Sequence, residues 1–135
     1  GDPETQVVLP LLDGDLAEIM LACATGTLES VSFGWYDKAA VCVVMASGGY
    51  PESYEKGKEI TGLAAAEEDK DVVVFHAGTK AAGEKILTHG GRVLGVTAVD
   101  SNIKAARDRA YTAVEKINFN GAFCRKDIAW RALKR

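Results

Sequence analysis

Three short apolar runs rich in β-branched residues constrain this chain more than anything else in it: Ala40–Ala46, Val72–Phe75 and Val93–Ala98. Each reads as a buried strand, and the first empties directly into Ser47-Gly48-Gly49. Weaker strands are expected near Glu59–Gly62 and Lys85–Leu87, and Gly90-Gly91 between two apolar runs predicts a hairpin turn. On either side of this block the apolar period changes from that of a strand to that of a helix. Helix, then sheet, then helix predicts an α+β domain, its largely antiparallel sheet flanked by helices.

The helical segments carry their own start and stop signals. Asp2 before Pro3 and Glu4 reads as a capping carboxylate, a preset φ and negative charge at a helix start, with Pro10 ending that short segment around Leu9. Asp15, with Glu18 three residues on, opens a second helix in which Leu16, Ile19, Met20 and Cys23 repeat at helical spacing up to Gly26. After Ser101, the residues Ile103, Ala106, Ala110, Val114 and Ile117 line one face, and Asn118–Asn120 with Gly121 break the pattern. Residues Ile128–Leu133 predict a final short helix, and Glu67–Asp71 a solvated acidic loop.

Bulk properties exclude several classes of function. A length of 135 residues suits one domain with a proper core, and a net charge of −3 provides no basic field for nucleic acid or an anionic membrane. No apolar run approaches the ~20 residues needed to cross a bilayer. Cys23, Cys42 and Cys124 are widely spaced, with no zinc-type pairing; Cys23 and Cys42 sit in apolar stretches and read as buried thiols in a reducing, cytoplasmic setting.

The stretch from Ser47 to Lys58 is the most suggestive for chemistry. Two glycines at a strand exit let the backbone approach a ligand and turn N–H groups toward an anion, while Lys56 and Lys58, with Gly57 between them, add positive charge. That combination suits a phosphate, although the order is not that of a Walker A loop. A tight turn explains the same glycines, and Tyr50 and Tyr54 serve equally well as packing residues. His76 at a strand end is an acid–base candidate or a hydrogen-bonded structural histidine, and His89 is equally ambiguous. Arg92 is a bidentate clamp for a carboxylate or phosphate, or a surface charge at a hairpin. Asp2 and Glu4 are paired carboxylates that helix capping alone would also explain.

Taken in order, six blocks resemble the C-terminal domain of the phosphoribosylamine–glycine ligase family, within the ATP-grasp superfamily. They are Gly1–Val8 with Leu9–Leu12, Ala39–Ala46 with Ser47–Pro51, Tyr54–Ile60, Val74–Thr79, Gly90–Thr97, and Arg125–Ile128 with Arg131–Leu133. In that family an Arg and an aromatic or Leu precede Gly-Asp-Pro-Glu, so the resemblance implies a single C-terminal substrate-side domain over residues 1–135, truncated at its N-terminal edge. The ATP-grasp and N-terminal domains would then be missing.

The resemblance implies an ATP-dependent ligase of purine biosynthesis, joining glycine to 5-phosphoribosylamine through glycyl phosphate to give glycinamide ribonucleotide. ATP and Mg2+ or Mn2+ would bind upstream, with no metal ligand in this chain, and the fragment alone would be inactive. Asp2 and Glu4 would stand beside the reacting centre as catalytic groups. By analogy with related ATP-grasp enzymes, Ser47, Gly48, Gly49, Lys56 and Lys58 would receive the ribose 5-phosphate, with Tyr50 and Arg92 as further substrate contacts. An autonomous sugar-phosphate binding module is the alternative, and an assembly domain built on the helix Ser101–Ile117 is a third.

Overall fold

In a computed structural model, which describes residues 1–134, the three apolar runs all fall in one four-stranded sheet. Strand β3 (Ala39–Ala46) lies between β8 (Arg92–Asp100) and the short β9 (Phe123–Cys124), and β5 (Val72–His76) closes the other edge, all antiparallel. The largely antiparallel sheet expected from the sequence is therefore present. Helix α4 (Ile103–Lys116) packs across one face, where Ala106, Ala110 and Ala113 let it approach closely and Val114 fills the gap beside Val43, Met45, Leu94 and Val96. Asn102 caps it by accepting from the Ala105 amide, and Ile103, at its exposed first turn, contributes little burial.

A second sheet of three short strands, β4 (Glu59–Ile60), β7 (Lys85–Thr88) and β6 (Thr79–Ala82), stands beside the first. Its hairpin turns at Gly83-Glu84, between β6 and β7. Gly90-Gly91 is consequently not a hairpin turn: it carries the chain from β7 in one sheet to β8 in the other. The one-turn helix α3 (Leu63–Ala66), entered through Gly62, leads from β4 toward β5.

The acidic loop is also more than a solvated turn. Arg109 of α4 donates to both carboxylate oxygens of Asp69 at 2.6–2.7 Å and to Asp100 at 2.9 Å, with Asp71 at 3.5 Å. Glu67 accepts from the Val74 amide at the sheet edge. Three carboxylates, two from the loop before β5 and one from the end of β8, thus converge on one guanidinium, which ties α4 to both strands.

The N-terminal 38 residues build an arm on the other side. A short helix α1 (Thr5–Val8) runs into a 3-10 turn at Leu9–Leu11, as Pro10 requires, but Asp2 does not cap it: Glu4 is the N-cap residue and makes no side-chain cap bond. A two-stranded ribbon, β1 (Leu12–Asp13) with β2 (Gly34–Trp35), brackets helix α2 (Leu16–Thr25). Here the local signals hold: the Asp15 carboxylate accepts from Ala17 and Glu18, and Gly26 ends the helix at φ 72°. Its apolar stripe, however, is bare. Only Ala22 is buried, Met20 and Leu21 are 63% and 65% exposed, and Cys23 is exposed rather than buried. The predicted last helix is mostly turns, with a 3-10 segment at Ala132–Lys134, because Ala129 adopts φ 62° and interrupts any regular run.

Candidate functional site

The pairing of β3 with β8 shifts by one residue at its end: Met45 faces Leu94, but Ala46 faces Arg92. Val93 is the extra residue of a β-bulge, the point at which the register slips, and it is fully buried. The bulge turns Arg92 off the face covered by α4 and onto the face where α1 lies. There its guanidinium pairs with the Asp2 carboxylate at 2.9 Å and donates to the Asp2 carbonyl at 3.3 Å. The other Asp2 oxygen accepts from Gln6 at 3.0 Å. Arg92 and Asp2 are thereby joined to each other, whereas the exposed Glu4 carboxylate has no side-chain hydrogen bond or ion pair among the described residues.

The same corner holds the glycine loop. The Ser47 amide donates to Gly91 O at 2.8 Å and its hydroxyl to Gly90 O at 2.9 Å, so Ser47 is a buried joint between the loop and the start of β8. Gly49 has φ 95°, and a Cβ there would run into the Ser53 carbonyl oxygen, so only glycine fits. Tyr50 and Tyr54 meet edge to face at 6.2 Å and roof Gly91, where a side chain would strike the Tyr50 ring. The structure therefore brings together Asp2, Ser47, Gly48, Gly49, Tyr50 and Arg92.

Lys58 lies on the far side of Gly48. Its backbone amide donates to the Thr88 hydroxyl at 3.1 Å, and its ammonium group pairs with Glu55. Between Lys58 and Gly48 is a cleft of about 150 Å³, also lined by Asn120 and Gly121. Gly48 approaches the Gly121 backbone so closely that a Cβ on it would sit 3.0 Å from Gly121 O. Lys56, on the exposed side of this bend, shares none of these contacts. Asn120 and Gly121 carried only a helix-breaking signal in the sequence, and Glu55 only an ordinary charge; nothing local tied them to Gly48.

His76 shares a 2.9 Å hydrogen bond with the Thr79 hydroxyl, and His89 enters the site's frame only through its backbone amide, which donates to Gly78 O at 2.7 Å. Neither ring faces a carboxylate or nucleophile within these contacts. Cys42 lies under α1 beside Gly95, and burial pushes its thiol pKa up. Among the described residues no group of three or more His, Cys, Asp or Glu side chains is arranged to hold a metal ion. No helix among the described residues is long and apolar enough to cross a membrane.

The profile of the family described as phosphoribosylglycinamide synthetase, C domain, matches residues 40–131. The chain is 53% identical over 133 residues to a phosphoribosylamine–glycine ligase of Chlorobaculum tepidum, covering 98% of this chain and 31% of that protein. It is 52% identical over 136 residues to the chloroplastic phosphoribosylamine–glycine ligase of Arabidopsis thaliana, covering 99% of this chain and 26% of that protein. The crystal structure of phosphoribosylamine–glycine ligase from Thermotoga maritima superimposes with a TM-score of 0.68 at 32% identity, over 94% of this chain and 30% of that one. The chain thus spans about a third of the length of the relatives it matches.

Proposed function

The chain belongs to the phosphoribosylglycinamide synthetase C-domain family, and from that premise we propose that it is the substrate-side part of an ATP-dependent ligase joining glycine to 5-phosphoribosylamine, giving glycinamide ribonucleotide in purine biosynthesis. The observation that supports this most is the corner itself. The ion pair between Asp2 and Arg92 and the Ser47 joint set the acidic opening turn beside the anion-suited glycine loop. A ligand with an amine at one end and a phosphate at the other would need both.

A carboxylate resists an amine until its oxygen becomes a leaving group, so glycine must first become a mixed anhydride such as glycyl phosphate. ATP with Mg2+ or Mn2+ supplies that activation. The described residues offer no donor set for the cation, so no step on this chain is routed through it. What these residues do is bind and orient. Glu4, unpaired and exposed, receives the ammonium or amine of a substrate. Gly48, Gly49, Lys58 and the nearby Lys56 hold the ribose phosphate. Tyr50 shapes the wall, and Asp2 and Arg92 brace it.

Residues 1–135 act in this reading as one unit of a longer enzyme, in the cytoplasm. The apolar residues left bare on the arm, among them Met20, Leu21, Phe33 and Trp35, pack against the remainder of the ligase. In the complete ligase, Lys56→Ala raises KM for phosphoribosylamine about tenfold, the worth of one charge-assisted contact; unchanged kinetics remove Lys56 from the site. The chain alone neither hydrolyses ATP nor ligates, and nucleotide-dependent turnover by it would overturn the assignment. A second reading, an autonomous sugar-phosphate module, draws on the Lys58 cleft. Calorimetry separates the two: the ligase reading requires glycinamide ribonucleotide to bind more tightly than ribose 5-phosphate, and the module reading does not.

A further inference from the structure

The ammonium group best placed to meet a phosphate is already occupied. Lys58 is 31% exposed, fixed by its backbone bond to Thr88, whereas its partner Glu55 is 81% exposed and reaches in from solvent three residues upstream. Glu55 also lines the cleft shared by Lys58, Gly48, Asn120 and Gly121, so its carboxylate stands at the mouth where an incoming anion would meet Lys58. The bond to Lys58 holds the Glu55 carboxyl below its usual range, so it is ionised wherever a phosphate monoester is dianionic.

We propose that Glu55 is a specificity-determining residue of this site: its carboxylate occupies the anion position on Lys58 as an internal competitor, and yields to a dianionic phosphate monoester but not to a monoanion. The inference rests on the reading of the Lys58 cleft as the phosphate end of the substrate site. An arriving carboxylate offers Lys58 only what Glu55 already provides, and adds repulsion from Glu55 itself. A phosphate monoester brings twice the charge and three acceptor oxygens, and the cleft beside Lys58, lined by Gly48, Asn120 and Gly121, leaves room for them. Because Glu55 is almost free in solvent, moving it aside requires only the loss of an exposed ion pair.

The test is an NMR titration of this chain with ribose 5-phosphate, inorganic phosphate and acetate at neutral pH, comparing wild type with Glu55→Gln, Glu55→Ala and Lys58→Met. Removing the competitor tightens ribose 5-phosphate about two- to fivefold, the range of an exposed ion pair. Acetate, silent in wild type, shifts the Gly48 and Gly121 amides in both Glu55 variants, and Lys58→Met abolishes these responses. If ribose 5-phosphate binds through Lys58 but both Glu55 variants bind it equally or more weakly, the competitor role is overturned while the phosphate site stands. If inorganic phosphate and ribose 5-phosphate bind alike and both tighten in the variants, the competitor role stands and the sugar-phosphate preference falls. Absence of Lys58-dependent binding in every protein overturns both.

Discussion

Asp2 and Arg92 stand 90 positions apart in the chain and 2.9 Å apart in space. The guanidinium also donates to the Asp2 backbone carbonyl, so it grips the opening turn by both main chain and side chain. Each partner is partly exposed, which limits what the pair contributes to global stability to about 0.2–1 kcal/mol. Arg92→Ala should therefore lower the urea midpoint only slightly, while amide exchange at residues 2–8 accelerates strongly. A large global loss with unchanged local exchange would contradict a latch that acts on the turn alone.

The two left-handed glycines of the central bend separate conformational strain from collision. Gly57, at φ 81°, has open space where a Cβ would lie, and Gly49, at φ 95°, has the Ser53 carbonyl there. Gly57→Ala should cost about 1 kcal/mol, the left-handed penalty alone. Gly49→Ala adds a backbone clash and should cost about 3 kcal/mol, with loss of anion binding. Equal costs by chemical denaturation would mean that the bend relaxes around either side chain.

Ala129 offers the reverse experiment. It is a non-glycine residue at φ 62°, held between two bonds from Arg107 to the carbonyls of Lys126 and Ile128 and the contact of Tyr111 with Ile128. Ala129→Gly should stabilise the protein by about 0.5–1 kcal/mol, because the replacement accepts the same φ without its penalty. A lower urea midpoint in that variant would show that the turn is not under strain.

Acid should unfold this protein from its ion-paired carboxylates. Asp100 is held below its ordinary pKa by the Ser101 amide and then by Arg109, Asp108 by Lys104, and Asp127 by Arg125. A depressed folded value means that the stabilisation is complete above the unfolded carboxyl pKa, near 3.9, and is lost as pH falls through the lower folded values. Tm should be flat near neutrality and drop steeply below about pH 4. Arg109→Leu should lower Tm by about 5 °C at pH 7, with a difference that shrinks toward pH 2. A constant difference across that range would assign the effect of Arg109 to packing instead of charge.

The thiols give a simple check on the arm. Cys23 lies on the bare face of α2, whereas Cys42 is buried under α1 with its thiol pKa raised by burial. An aromatic disulfide reagent at pH 8 should label Cys23 at once and Cys42 only on denaturation. Immediate labelling of Cys42 would mean that α1 does not stay on the sheet.

Local chemistry by itself determined a good part of this protein. The three apolar runs became strands of one sheet, Asp15 and Gly26 bounded α2, and the alanine-lined face of α4 met the sheet. Each depends on period, capping or φ within a few residues, and those can be read in order along a chain. The glycines of the bend were legible as a tight turn for the same reason, and Gly49 and Gly57 do take left-handed φ there. The buried Cys23 and the hairpin at Gly90-Gly91 were misread, and the role of the largely exposed acidic loop in holding Arg109 was missed, because each depended on which distant element lay opposite. Only the tertiary structure decided where Arg92 points: one extra residue at Val93 reverses the face of everything beyond it, and no property of Val93 announces that it will bulge. It likewise decided that Gly121 would meet Gly48 and that Arg109 would collect three carboxylates. Such contacts form between segments far apart in sequence, and their geometry is fixed only after the sheet and helix have packed.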